Sequence, residues 1–286
     1  MSITKNVIFV GGPDSGKSNY LFRTWIAIER ETGFLVKNGL PVDLGYLHDG
    51  ASMLLGGRFA PHTSRDTRHT SRIPIAQRGC SDTNSTLVVP DASGELWLDL
   101  YRKRVWPLAW DELITETCGL VLHVRAGSPH NVPALDWITC EHFYKNGMPP
   151  QSTDVPTQVL LVDWLQILHA IADRNLGRRC TPRLSVVVTA WDRVPADRQQ
   201  GSPEDYLETE FPLLAQFLQA DSHGYDAKVF GLSILGGDPE FDPEFRKHVQ
   251  QNDPSALGYV VTVISRGSER HADVLAPIYW ALGMNA

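Results

Sequence analysis

The sequence predicts an α/β fold, a mostly parallel central sheet with helices on both faces. Three observations predict it. An apolar strand, Val7-Ile8-Phe9-Val10, runs into a glycine-rich loop and then a helix-compatible stretch with apolar Leu21, Trp25, Ile26 and Ile28. Short β-prone runs recur at 85–91, 119–125, 183–189, 227–233 and 259–264. Amphipathic stretches at 157–175 and 203–218 fall between them, and strands alternating with helices build parallel sheets.

The first turn carries the sharpest chemistry. Gly11-x-x-x-x-Gly16-Lys17-Ser18 fits the Walker A pattern without mismatch. Its glycines let the main chain wrap closely and aim successive N–H groups at phosphate oxygens. The following helix adds unpaired N–H groups and the positive end of its dipole. Gly11, Asp14, Ser15, Gly16, Lys17, Ser18 and Asn19 form the candidate phosphate-binding set. Lys17 is the candidate for the β- and γ-phosphates, and the Ser18 hydroxyl the candidate Mg²⁺ ligand.

Residues 33–72 read as a long irregular stretch, with glycines at 33, 39, 45, 50, 56 and 57 and a polar run from 62 to 72. Loops of that length are usually functional. Residues 85–91 then form a strand that runs into Asp91-Ala92-Ser93-Gly94-Glu95. Asp-x-x-Gly at a strand end, downstream of a Walker A pattern, is a second nucleotide signature. Asp91 is placed to bind Mg²⁺ through a water, and the Gly94 N–H to contact a γ-phosphate. The alternative is a plain turn with Asp91 near an N-cap.

Residues 96–116 read as one helix or two, 119–125 as a buried strand, and 126–157 as an insertion over one face. The strand at 183–189 ends in Thr189-Ala190-Trp191-Asp192. Guanine-specific loops read Asn/Thr-Lys-x-Asp at such a strand end. The aspartate accepts from the guanine N1–H and exocyclic amine, a donor pair that adenine lacks. Ala190 departs from that pattern, because the usual lysine packs its stem over the base and braces the loop; Trp191 is a candidate for some of that packing. Ser233 closes the 227–233 strand, where a turn can offer a main-chain N–H to the base. A helix at 272–282, kinked at Pro277, closes the sequence.

Composition narrows the class. A length of 286 residues suits a single domain, 1–286, with insertions at about 33–72 and 126–157. A net charge of −7, from 26 basic and 33 acidic residues, argues against nonspecific nucleic-acid binding. No stretch reaches the roughly 20 apolar residues of a membrane span, and no secretory signal is visible. Cys80, Cys118, Cys140 and Cys180 are scattered, so reduced thiols and a cytoplasmic location are expected.

The ordered set 11–18, 91–94, 189–192 and Ser233 resembles the translation-factor-related (TRAFAC) class of P-loop GTPases. More narrowly, it is similar to the bacterial double-GTPase family of conflict and defence gene clusters. The features shared are Gly94-Glu95, the Thr-x-Trp-Asp loop and the Pro-Ile-Tyr-Trp-Ala-Leu ending at 277–282. The resemblance implies a P-loop NTPase G-domain that binds GTP or GDP with Mg²⁺ and signals to protein partners or a larger complex. It also implies a switch threonine that senses Mg²⁺ and the γ-phosphate: Thr63, after Gly57-Arg-Phe-Ala-Pro61, with Thr67 and Thr70 as rivals.

Phosphoryl transfer needs positioning and charge neutralisation, here assigned to Lys17 and Mg²⁺ with Ser18 and Thr63. Glu95 stands where many GTPases carry a water-orienting glutamine. A carboxylate accepts from water but cannot donate to the phosphate, so slow hydrolysis is expected. Capping of the next helix is the other role for Glu95. An arginine finger would come from the 62–72 run, for instance Arg65, or from a partner. A catalytically weak binding subunit and an ATPase are the competing readings.

Overall fold

In a computed structural model of the chain, the residues described are 3–61, 69–79, 85–91, 93–114, 118–134, 145, 155–177, 181–220, 224–253, 257–264 and 267–284. Among them, nine strands form one sheet: β1 (Ile3–Val10), β2 (Leu35–Lys37), β3 (His69–Gln77), β4 (Ser85–Asp91), β5 (Gly119–Arg125), β6 (Arg183–Thr189), β7 (Asp226–Ser233), β8 (Tyr259–Ile264) and β9 (Gly267–His271). Their order is β2-β3-β4-β1-β5-β6-β7-β8-β9. The central run from β4 to β7 is parallel throughout, and two antiparallel strands extend each edge. The expected α/β architecture is therefore present.

Helices α1 (Lys17–Glu29), α2 (Leu44–Leu55), α3 (Gly94–Lys103), α4 (Thr157–Leu176), α5 (Pro203–Glu210), α6 (Pro212–Gln219), α7 (Pro243–Gln251) and α8 (Ala276–Ala281) surround it. Parallel strands buried on both faces read as unbroken apolar runs, and alternate residues feed different cores. Val7 and Phe9 of β1 face a cluster with Tyr20, Trp25 and Ile278. Ile8 and Val10 face the opposite cluster with Trp97, Trp164 and Leu207. The sheet is thus held from both sides, and its strand ends are fixed.

Several elements differ from the sequence reading. The stretch 33–72 is not irregular: it contains β2, α2 and the start of β3. Its glycines suggest loop, but Gly50 serves helix packing. A Cβ there would lie 2.4 Å from the Phe22 ring of α1. Residues 203–218 form two helices, because Pro212 forces Phe211 out of the helical region, to φ −134° and ψ 55°. Pro277 sits in the first turn of α8, where its missing N–H costs nothing, rather than kinking the helix. Helix α7, capped by Asp242, and the polar edge strand β9 went unread.

Val132 and Thr157 hydrogen bond to each other, with Val132 N to Thr157 Oγ1 at 2.8 Å and Thr157 N to Val132 O at 2.9 Å. The segment between them therefore leaves and returns at one point. Most of that segment, 135–144 and 146–154, lies outside the described residues, as do Cys80, Cys140 and Cys180. Among the described residues, no helix is long and apolar enough to cross a membrane.

The Gly50 packing yields a test. Gly50→Val should cost about 1–3 kcal/mol, because the α1–α2 contact has no room for a branched side chain. Urea unfolding measures it; an unchanged midpoint would show that the two helices do not meet there.

Candidate functional site

The carboxyl ends of β1, β4, β5, β6 and β7 converge on one edge of the sheet, where they line a cavity in two compartments. The smaller, about 90 Å³, is lined by residues 13–19 with Ala60, Pro61, Ser93, Gly94 and Arg125. The larger, about 460 Å³, is walled by Phe59, Thr189, Ala190, Asp192, Ser233 and Asp238 among others. Asp14, Gly16, Asn19, Ala60, Pro61 and Arg125 line both, so the compartments adjoin.

The loop between β1 and α1 is shaped by its main chain. Gly16 has φ 88° and Asp14 φ 59°, both left-handed. At Gly11 a Cβ would fall 2.6 Å from Ser15 Oγ and 3.0 Å from the His123 carbonyl, so only glycine fits. Ser15 Oγ donates to Gly12 O at 2.8 Å. Lys17 is buried; its Nζ donates to Gly11 O and Gly12 O, both at 2.8 Å, and to Ser15 Oγ at 3.1 Å. The ammonium thus lies folded back under the loop that it follows.

Neighbouring strand ends clamp this loop. Thr189 Oγ1 donates to Ser15 O at 2.9 Å. Gly94 meets the loop main chain to main chain: a Cβ there would be 2.0 Å from Pro13 N and 2.4 Å from Gly12 C. Ser93 caps α3, with its Oγ accepting from Leu96 N at 3.3 Å, so the capping role considered for Glu95 falls to Ser93, two residues after Asp91. Arg125 Nη1 donates to Asp14 O at 3.0 Å and forms an ion pair with the Asp14 carboxylate.

In the larger compartment, Asp192 Oδ1 accepts from Ser233 Oγ, which itself accepts from Gly236 N at 2.9 Å. The Ser233 hydroxyl therefore orients the carboxylate, a role the sequence reading did not assign to it. Trp191 does not cover this compartment. It is buried in the core, 5.8 Å from the Tyr206 ring centroid, with the Gly231 backbone against it. The expectation that it replaces the missing lysine stem is corrected.

The rim is pinned from two sides. Asn19 Oδ1 accepts from Ala60 N at 2.9 Å, and Glu240 Oε1 accepts from Phe59 N at 3.1 Å. Chain 59–61 then enters 62–68, and Thr63, Arg65 and Thr67 lie there, outside the described residues. Thr70 is exposed in β3. Asp91 ends β4, in register with His69, and its side chain is outside the description. Ser18 lines the smaller compartment. Glu95 does not line either; its Oε2 is buried without a hydrogen-bond partner among the described residues.

Sequence reasoning missed two residues. One is Arg125. The other is His123, fully buried below the loop between Phe9 and Tyr20, with ring centroids 4.9 and 5.7 Å away. Its Nδ1 faces the carbonyls of Val10 at 3.3 Å and Val121 at 3.1 Å, so the proton belongs on Nδ1. Burial, then the nearby Lys17 charge, lowers its pKa to about 3. Neither residue belongs to a nucleotide motif; only the apolar strand ending in a cation hints at them.

A neutral His123 has a pH consequence. Unfolded, it titrates near pH 6.5. The unfolded chain therefore takes up a proton that the fold refuses, and stability falls as pH drops from about 6.5 towards 3. His123→Gln should flatten that limb between about pH 6.5 and 5, above the carboxylate range. Urea midpoints across this window measure it; parallel curves for the two proteins would contradict the assignment.

Comparison with known proteins adds to this geometry. No curated protein matches the sequence. The crystal structure of the S. cerevisiae Ski7 GTPase-like domain, bound to GDP and inorganic phosphate, is similar at 13% identity and a TM-score of 0.43. The match covers 80% of this chain and 43% of that one, so the chain spans less than half of its length. A family model described as Double-GTPase 1 matches residues 8–281, nearly the whole sequence. The chain belongs to the Double-GTPase 1 family.

Proposed function

We propose that this chain binds GTP with Mg²⁺, hydrolyses it slowly, and acts as a switch that signals to partner proteins. Family membership implies guanine-nucleotide binding. The observation that carries the reading is the pairing of compartments: a buried ammonium under a glycine loop, adjoining a cavity whose wall holds an oriented carboxylate.

The residues fit an anionic, magnesium-bound ligand. Asp14 is the loop's own carboxylate, and its charge is met by Arg125, so an incoming phosphate faces no uncompensated negative charge from it. Lys17 would move its Nζ donors from Ser15 Oγ to β- and γ-oxygens. Loop N–H groups and the start of α1 would take the remaining charge. Ser18 would hold Mg²⁺, with Asp91 through water and Thr63 as the switch threonine. The metal would supply positive charge against the negative charge that develops on the transferring phosphate. Gly94, already against Pro13, would report the γ-phosphate through its N–H.

Asp192 would choose the base, with one oxygen fixed by Ser233 so that the carboxylate is oriented before guanine arrives. Thr189 acts indirectly, by tying the base loop to Ser15. Glu95 follows Gly94 directly and is the candidate water-positioning group. Slow turnover fits a carboxylate at that place. Its position outside both compartment linings favours the second reading, a catalytically weak subunit of a larger assembly. A bacterial cytoplasmic defence system is the setting that the family resemblance suggests.

Single-turnover hydrolysis by wild type and Lys17→Ala separates these readings. Slow GTP turnover that disappears in Lys17→Ala supports the switch; none in either protein supports the binding subunit. In titrations, Asp192→Ala should weaken GTP about tenfold to a hundredfold while changing ATP little, the scale of a lost charged hydrogen bond. Equal weakening of both nucleotides would overturn the guanine assignment.

A further inference from the structure

Arg125 is the last residue of β5, in register with Thr189 of β6. The residue after Thr189 is Ala190, with φ 55°, which offers only a methyl group to the larger compartment. The motif that this loop resembles has a lysine there, bracing the phosphate loop. In this chain a cation reaches the same loop from the neighbouring strand.

The contacts are specific. Arg125 Nη1 holds both the main-chain oxygen of Asp14, at 3.0 Å, and its carboxylate. Ser128 Oγ donates to the other carboxylate oxygen at 3.3 Å. The pair is largely shielded, with side chains 23% and 27% exposed. The main chain under Arg125 is fixed as well: Asn131 Nδ2 donates to Arg125 O at 3.0 Å, and Ala126 N to Thr189 O at 2.9 Å.

Asp14 holds φ 59°, a left-handed conformation that glycine adopts freely and a residue with a Cβ adopts less readily, and Arg125 contacts both its main chain and its side chain there. Arg125 lines both compartments, and its Nε is buried without a hydrogen-bond partner among the described residues. A guanidinium carries five donors in a fixed fork, and Asp14 engages one nitrogen of it.

We propose that Arg125 is the positioning cation of this site: it holds the phosphate loop at Asp14 and does, from β5, the bracing for which residue 190 has no side chain. The proposal rests on the guanine-nucleotide reading of the cavity. It predicts that the cation is transferable between the two strand ends.

The test uses release of a fluorescent GDP analogue from wild type, Arg125→Gln, and Arg125→Gln combined with Ala190→Lys, with the thermal midpoint of each ligand-free protein. Arg125→Gln should release the analogue about tenfold faster or more, as for a lost charge-assisted hydrogen bond. Its ligand-free midpoint should stay close to wild type, and Ala190→Lys should recover much of the slow release. Wild-type release from Arg125→Gln overturns the proposal. So does faster release that tracks a fallen midpoint and is not recovered by Ala190→Lys, since that marks general damage. If wild type itself fails to hold the analogue while folded, the guanine reading falls, and this inference with it.

Discussion

The loop from Gly11 to Gly16 is held in shape by hydrogen bonds from its neighbours, and the rest of the site follows from how they do it. Lys17 draws the carbonyls of Gly11 and Gly12 together from below. Thr189 fixes Ser15 from β6, Arg125 fixes Asp14 from β5, and Gly94 closes on Pro13 after β4. Apart from Lys17, each clamp comes from a different strand end. The parallel centre of the sheet is what brings those ends to one edge.

Charge is arranged with the same economy. The chain is acidic overall, and several carboxylates surround the cavity. Those described are engaged: Asp14 by Arg125, Asp192 by Ser233, Asp238 by Arg193 at 2.8 Å, and Glu240 by the Phe59 N–H. Lys17 and Arg125 therefore place positive charge at the loop despite the chain's net negative charge. His123 stays neutral beneath Lys17, so it adds no second positive charge to a buried place that already holds one.

Much of this was legible in the sequence, for a physical reason. β4, β5 and β6 match their predicted limits because strands buried on both faces leave continuous apolar runs. The phosphate loop and the 189–192 turn are written in contiguous residues, and the fold brings them together. What escaped depends on distant partners or on packing. Gly50 reads as loop until Phe22 is seen lying on it. β9 is polar because it is an edge strand, so no apolar run announces it. Trp191 sits in the Thr-x-Trp-Asp turn yet points into the core, since Gly231 leaves room for it there. Arg125 looks like an ordinary solvated strand end, and its partner Asp14 lies far away in the sequence.

The central claim is that the loop after β1 grips phosphates through its main chain and Lys17. A crystal structure of the protein grown with a non-hydrolysable GTP analogue and Mg²⁺ tests it most directly. The account predicts phosphate oxygens against the N–H groups of residues 13–18, Lys17 Nζ drawn from Ser15 Oγ towards them, and the purine beside Asp192. A loop that stays closed over its own lysine, with the analogue absent or seated elsewhere, would contradict it.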